Sequence, residues 1–456
     1  MEEIDLILEK QRAFFASGKT LSVEYRLDVL KKIRRTIIQY EPEVIRAMSD
    51  DFRKPEFEVI ATETRFVMQE LNLMIRKMRR WAKPRNVRTP FVHFISRSRV
   101  MPQPHGQVLV ISPWNYPFHL AILPVISALA AGNCVILKPS RKVHNTAMVM
   151  KKILEELPSE LVTVLHGDHT ETDYILNYRF DYIFFTGSTE VGKHVMTKAA
   201  ANLTPVSLEL GGKNPCLVTA DANLDLAARR ITWGKFINAG QTCIAPDYLL
   251  ADRKIRDRLV SLIKENIARF YGSDTRQSPD LARIIKSDKV TKLASLLRGA
   301  DIVTGGETDP EHRYISPTVV INVKPEDPLM QDEIFGPILP VIDFDDINEA
   351  YQIMELYPKP LSAYIFSGSK RTIHQFLSRT QSGNAAVNET IMQIASPFLP
   401  FGGAGPSGIG RYHGKKSFET FSNMRSVLFK SNLLDIPLRY PPYNRFKIKA
   451  VKFFLR

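Results

Sequence analysis

The sequence predicts an α/β protein built on a parallel, doubly wound sheet. Three observations predict it. From Gln107 onward, short apolar runs alternate with helical segments. Those runs end in loops rich in proline, glycine and asparagine, where such sheets place their ligands. Residues 211–405 then repeat an α/β texture. The length of 456 residues suggests two or three domains of roughly 150 each, and 44% hydrophobic residues supply a substantial core.

Residues 1–83 read as helices. Val29, Ile33 and Ile37 set one apolar face, and residues 58–81 form a second amphipathic stretch, as expected of helices that cover a sheet. Between 84 and 101 the texture changes. Phe91, His93, Ile95 and then Ser96–Arg99 alternate at a period of two, which predicts two short strands and a turn: an edge hairpin, or an arm toward a partner subunit. Val108–Ile111 is the first strand of the parallel sheet and runs into Ser112-Pro113-Trp114-Asn115-Tyr116-Pro117. A helix over 120–131 stops at Gly132-Asn133. Cys134–Leu137 follows, closed by Lys138-Pro139-Ser140, then a helix over 143–157. Strands at 162–165, reaching Gly167-Asp168, and at 182–185, reaching Thr186-Gly187-Ser188, complete the series. Further on, helices are expected at 224–237, 256–271 and 345–356, and strands at 216–218, 248–250, 319–321, 339–342 and 362–366. No linker is long enough to separate the domains, so they should pack closely with a cleft between.

Composition excludes several classes. Three cysteines, Cys134, Cys216 and Cys243, cannot all pair and none sits in a CxxC. Reduced thiols in the cytoplasm are expected, with no disulfide scaffold and no metal site. The first thirty residues, with Glu2, Glu3, Asp5 and Glu9, carry no secretory signal. No run reaches the roughly 20 apolar residues of a spanning helix. The net charge of +14 comes without a nucleic-acid-binding module, so no nucleic-acid partner is expected. The tail, 431–456, differs from the rest. After Pro441-Pro442, Arg445, Lys449, Lys452 and Arg456 share one helical face, and Phe446, Ile448, Val451, Phe453, Phe454 and Leu455 occupy much of the remainder. Such a helix suits peripheral contact of 437–456 with an anionic membrane; a frayed or subunit-packed tail is the alternative.

Several residues carry candidate chemistry. Cys243 ends Gly240-Gln241-Thr242-Cys243, and a cysteine becomes a nucleophile when a neighbouring group draws off its proton. Glu209 stands between Leu208 and Leu210 at a strand end. Burial there should raise its pKa toward neutrality, as a general base requires. Asn115 can donate an amide N–H to a developing oxyanion. Gly187-Ser188-Thr189-Glu190-Val191-Gly192 follows a strand and opens a helix, a place for a pyrophosphate, although the spacing is not GxGxxG and a plain β–α turn fits equally. Lys138 can reach ribose hydroxyls or a phosphate. In Glu333-Ile334-Phe335-Gly336-Pro337 the carboxylate suits ribose and the ring suits a nicotinamide.

Taken together, Pro113–Pro117, Lys138-Pro139-Ser140, Gly187–Gly192, Leu208–Lys213, Gly240–Cys243, Glu333–Pro337 and Pro400–Gly408 occur in one order that resembles the NAD(P)-dependent aldehyde dehydrogenase superfamily over residues 23–429. Ala245-Pro246-Asp247-Tyr248, Tyr412-His413-Gly414-Lys415 and Phe418–Ser422 are similar to its class 3 branch. The resemblance implies a Rossmann-like cofactor domain (1–83 and 101–210), an α/β catalytic domain (211–405) and an oligomerisation arm (84–100 and 406–430) that extends a partner's sheet in a homodimer. It implies oxidation of medium- or long-chain aliphatic or aromatic aldehydes to acids, with NAD or NADP as cofactor. The implied roles are Cys243 as nucleophile, Asn115 with the Cys243 N–H as oxyanion holders, and Glu209 as activator of water. Lys138, Ser140, Arg141, Gly187, Ser188, Gly192, Leu210, Glu333 and Phe335 would hold the cofactor. In one position the chain departs from the pattern. Arg141 follows Lys-Pro-Ser where the family often has glutamate, and an arginine there can pair with the 2′-phosphate of NADP. Two rivals stay open: a CoA-acylating dehydrogenase or acyl reductase on the same fold, and a non-enzymatic binding protein. The first would dispense with Glu209; the second would not need Asn115, Glu209, Cys243 and Glu333 together.

Overall fold

The computed structural model describes residues 2–167, 169–357, 359–433, 435 and 437–455; Asp168 and Arg456, named above, lie outside them. The N-terminal region is helical: Glu2–Ala16, the long Val23–Phe52, and a continuous run of Glu56–Val59, a π turn at Ile60–Thr64, and Arg65–Trp81. Ser22 starts the long helix by accepting the Tyr25 N–H. Its apolar stripe, including Leu30, Ile33, Ile37, Val44 and Met48, is fully buried in the first core. The helix His119–Ala131 is buried all round, because it lies inside that core and not at its surface.

The first sheet has six strands in the spatial order Gly408–Ile409, Val206–Glu209, Tyr182–Thr186, Gln107–Ile111, Cys134–Lys138 and Val162–Val164. All pairs are parallel except the short Gly408–Ile409. The chain starts at the centre with Gln107–Ile111, steps outward twice, then returns to Tyr182–Thr186 on the other side. The crevice at the carboxyl ends of those two strands is therefore the switch point where doubly wound sheets bind ligands. Register aligns the ends: Ile111 opposes Lys138 and Phe185, and Thr186 opposes Glu209.

The second sheet has seven strands in the order Asp301–Thr304, Thr318–Ile321, Ile338–Phe344, Tyr248–Asp252, Pro215–Val218, Ser362–Phe366 and Asn384–Val387, antiparallel only at its Asp301–Thr304 edge. It has its own apolar core.

The arm is a three-stranded antiparallel sheet of Arg85–Val87, Ser96–Pro104 and Ser422–Lys430. Two details differ from the pattern read in the sequence. Phe91–His93 is a 3-10 turn, closed by the Phe94 N–H on the Phe91 carbonyl at 2.8 Å, with the rings of Phe91 and Phe94 5.9 Å apart. All four residues 91–94 are exposed, so their period of two has no face to bury. Of the segment 406–430 expected in the arm, only 422–430 lies in it. Gly408–Ile409 joins the first sheet, and the helix Gly414–Thr420 buries Phe418 in the first core. The tail helix Arg445–Phe454 starts at Asn444, which accepts the Lys447 N–H at 2.9 Å, and its Phe454 ring lies 6.1 Å from Phe91. Among the described residues, no helix is long and apolar enough to cross a membrane.

Candidate active site

The helix Leu224–Phe236 ends at Ile237, and the chain then runs through Asn238, Ala239 and Gly240, all at positive φ (54°, 53° and 72°). Gly240 has two reasons to be glycine. Its φ is left-handed, and a Cβ there would sit 2.3 Å from the Gly336 carbonyl oxygen. The cysteine loop thus lies directly on the loop carrying Glu333. Buried Gln241 locks the turn: its Nε2 donates to the Asn238 and Arg283 carbonyls at 3.0 Å, and its Oε1 accepts the Ile285 N–H at 3.0 Å. Asn214 donates to the carbonyls of Cys243 (2.8 Å) and Ala245 (3.0 Å), tying the Glu209–Lys213 segment to the cysteine loop. Asn115 donates from Nδ2 to the Gln241 carbonyl at 3.0 Å, so one amide hydrogen is taken and the other is left for an oxyanion.

Burial pushes the Cys243 thiol well up, and the carboxylates of Glu333 and Glu209 push it further; the N–H groups of Cys243 and Ile244 oppose this. Glu209 closes the strand Val206–Glu209, is 3% exposed, and has no hydrogen-bond partner on either carboxylate oxygen. Burial raises its pKa well above the carboxylate range, against the pull of Arg411. Tyr412 lies where the charges of Glu209 and Cys243 both act on it, and its buried hydroxyl is also without a partner. Cys243 packs against the first apolar core. A thiol, a buried unpaired carboxyl and an amide donor therefore meet against an apolar wall. That arrangement suits addition to a carbonyl, followed by removal of a proton from water.

At the switch point of the first sheet, the Ser112 and Thr186 hydroxyls are buried without partners, one at each carboxyl end. Two orphaned hydroxyls there fit a polar dinucleotide that would bond them. The sequence-predicted cofactor residues are disposed as follows. Lys138 donates to the Gly167 carbonyl at 2.6 Å and lies 3.8 Å from a Glu171 carboxylate oxygen. Ser140 accepts the Lys142 N–H at 3.4 Å, and Arg141 is exposed beyond the strand end. Ser188 caps the helix Thr189–Ala200. The Gly187 N–H is taken by the Glu209 carbonyl at 3.0 Å, and a Cβ on Gly192 would sit 2.6 Å from Leu210. A Cβ on Gly187 would likewise sit 2.5 Å from the Phe185 ring, so both glycines in this turn serve close packing. Glu333 lies against Gly211 and accepts the Gly212 N–H; burial and Asp247 raise its pKa to about 8, against Gly212, Lys289 and Lys213. The Phe335 ring meets Trp114 edge-on at 5.5 Å, and the Lys142 ammonium stands over Trp114. Sequence reasoning missed Ser112 and Thr186, although each is a hydroxyl residue at the end of an apolar strand. It had no signal for Asn214, whose partners are 29 and more residues away. Among the described residues, no cluster of His, Cys, Asp and Glu could hold a metal ion.

Residues 1–427 match the model of the aldehyde dehydrogenase family. The chain is 43% identical to aldehyde dehydrogenase family 3 member A2 of Pongo abelii, over 99% of this chain and 94% of the relative. It is 42% identical to the aldehyde dehydrogenase, dimeric NADP-preferring, of Canis lupus familiaris, over 97% of this chain and 98% of the relative. The solved structure of Staphylococcus aureus AldH in a substrate-bound state superposes with a TM-score of 0.97 at 40% identity, covering 99% of both chains. With its two parallel sheets, its buried carboxyl beside a loop-borne thiol and these likenesses, the chain belongs to the class 3 branch of the aldehyde dehydrogenase family.

Proposed function

We propose that this NAD(P)-dependent aldehyde dehydrogenase works through a covalent thioester on Cys243, which water prepared by Glu209 then releases. The carrying observation is Glu209 itself: buried, with neither oxygen partnered, and raised in pKa beside the thiol. The Cys243 thiol gives up its proton to solvent while the Cys243 and Ile244 N–H groups favour the thiolate; the thiolate adds to the aldehyde carbon, and the free Nδ2 hydrogen of Asn115 and the Cys243 N–H stabilise the oxyanion. When bound, NAD or NADP supplies the hydride acceptor that turns this adduct into the thioester. Ser112, Thr186, Lys138, Ser140, Ser188, Leu210, Glu333 and Phe335 line the positions that would hold the cofactor. Glu209 takes a proton from water, the hydroxide adds to the thioester carbon, and the acid leaves as the thiolate re-forms. The apolar wall around Cys243 favours medium- or long-chain aliphatic or aromatic aldehydes.

Formation of reduced nicotinamide from a long-chain aldehyde, with and without CoA, tests this reading. Acid release independent of CoA supports it; strict dependence on CoA selects the acylating alternative, and no turnover with any aldehyde selects a binding protein. Arg141 is proposed to accept the 2′-phosphate of NADP, in line with the NADP preference named for the dog relative. An unchanged NADP-to-NAD ratio of kcat/KM in Arg141→Glu contradicts that role. The arm is proposed to join two copies in a homodimer, as the dog relative is named dimeric; a monomeric mass in solution contradicts it. We also propose a cytoplasmic enzyme whose 437–456 tail touches anionic membranes. The exposed Phe446 and Phe453 beside Lys449 and Lys452 support the contact, and liposome flotation unchanged by deleting the tail contradicts it.

A further inference from the structure

The left-handed run before the nucleophile is held from outside its own loop. Asn238 and Ala239 are not glycine, yet both take positive φ, and such a conformation persists only where neighbours over-determine it. The neighbour is Glu58, on the helix Glu56–Val59 just before the π turn. Its Oε2 accepts the Asn238 N–H at 3.0 Å across a sequence separation of 180 residues. Asn238 in turn donates from Nδ2 to the Asn115 carbonyl (2.9 Å) and the Gln241 carbonyl (3.1 Å), and Asn115 donates to the same Gln241 carbonyl. One carboxylate thus anchors the residue that clamps the oxyanion donor to the cysteine loop.

The surroundings of Glu58 belong to the same device. Lys54 is fully buried, pairs with Glu63 at 2.5 Å, and stands 3.9 Å over the Tyr116 ring. Tyr116 meets the Thr242 hydroxyl at 2.7 Å, next to the nucleophile, and Glu63 also accepts the His119 N–H. The segment carrying Lys54, Glu58 and Glu63, from the link before the helix Glu56–Val59 into the π turn, therefore reaches both sides of the reacting pair, Asn115-Tyr116 on one and Asn238–Thr242 on the other.

We propose that Glu58 is a positioning residue for aldehyde oxidation: as a hydrogen-bond acceptor for Asn238, it sets Asn115 and Cys243 in register for attack. Burial raises the Glu58 carboxyl to about 7, with Lys54 and the Asn238 N–H opposing and Asp280 and Glu63 adding. Near neutral pH both its protonated and ionised forms occur, and both keep an acceptor oxygen, so the acceptor and not the charge is the working feature.

Two substitutions separate acceptor from charge. Glu58→Gln keeps an acceptor at the same reach without charge, and Glu58→Asp keeps the charge but withdraws the acceptor by one methylene. With active sites counted by thiol titration, Glu58→Gln should keep kcat within about threefold. Glu58→Asp should lose about tenfold or more in kcat with little change in KM, because a misplacement of about 1 Å at the chemistry is costly in rate while apolar binding is untouched. Wild-type kcat in Glu58→Asp, a loss in Glu58→Gln as large as in Glu58→Asp, or a loss confined to KM each overturns the proposal. The inference rests on the reading of Cys243 as nucleophile. Cys243→Ala in parallel keeps the two apart: residual wild-type oxidation there defeats that reading, whereas an inactive Cys243→Ala beside a fully active Glu58→Asp defeats only the role of Glu58.

Discussion

Replacing Gly240 by alanine is a sharp test of how the cysteine loop and the Glu333 loop are joined. A left-handed φ costs alanine about 1–2 kcal/mol. The new Cβ would also stand 2.3 Å from the Gly336 oxygen, 2.5 Å from its carbonyl carbon and 3.0 Å from the Pro337 nitrogen, all backbone atoms that no rotamer can move aside. Overpacking of that kind costs about 1–3 kcal/mol more. The structure contains its own control. Gly18 is left-handed at φ 75° and ψ 0°, and its ideal Cβ meets only the Leu21 side chain at 3.7 Å, so Gly18→Ala should cost only the backbone component, about 1–2 kcal/mol. The difference between the variants, about 1–3 kcal/mol, corresponds to a melting temperature roughly 1–3 °C lower for Gly240→Ala than for Gly18→Ala in a chain of this length. Relief of the clash separates Cys243 from Glu333, so kcat should fall about tenfold or more in Gly240→Ala and hold in Gly18→Ala. Differential scanning calorimetry and steady-state kinetics on both proteins decide it. Equal melting temperatures with equal kcat would refute the contact between the loops as the reason for this glycine.

Two further outcomes follow from the carboxyl groups. Glu209→Gln should retain a rapid burst of reduced nicotinamide, one per active site, while steady-state turnover falls by about 10²–10⁴; unchanged turnover in stopped-flow absorbance removes Glu209 from hydrolysis. Glu333 carries a pH signature of known sign. Its folded pKa is raised to about 8, above the ordinary carboxylate value it regains on unfolding. Between about pH 4 and 8 the folded chain therefore binds more protons than the unfolded one, and this contribution to stability is lost as pH rises through that window. Denaturant midpoints across pH 5–9 should decline less in Glu333→Gln than in the wild type; parallel curves contradict the buried, protonated carboxyl.

Much of the frame was legible because the strands of both sheets are buried on two faces and read as unbroken apolar runs, as in Val108–Ile111 and Tyr182–Phe185. Glu209 stands out in the sequence because it ends an apolar strand, where loops concentrate function, and Cys243 stands out by its place in Gly240-Gln241-Thr242-Cys243. Residues 91–94 misled because an alternation of exposed residues carries no packing and so fixes no strand. Gly408–Ile409 was invisible: a strand of two residues has no period, and its partner, Leu208-Glu209, lies some 200 residues away. Gly187 and Gly192 showed that a glycine is needed without showing why, since Phe185 and Leu210 are the crowding groups. Glu58 and Glu63 lie in the stretch 58–81 read only as an amphipathic helix, and only the folded chain brings them, with Lys54, to Asn238, His119 and Tyr116.

The covalent intermediate on Cys243 is the claim on which the reading of the site depends, and it can be trapped. Glu209→Gln enzyme mixed with a long-chain aldehyde and NAD or NADP, quenched in acid and digested, should yield the Cys243 peptide carrying one acyl group in stoichiometric amount by mass spectrometry. An unmodified Cys243 peptide from enzyme that has released a full burst of reduced nicotinamide would contradict the account.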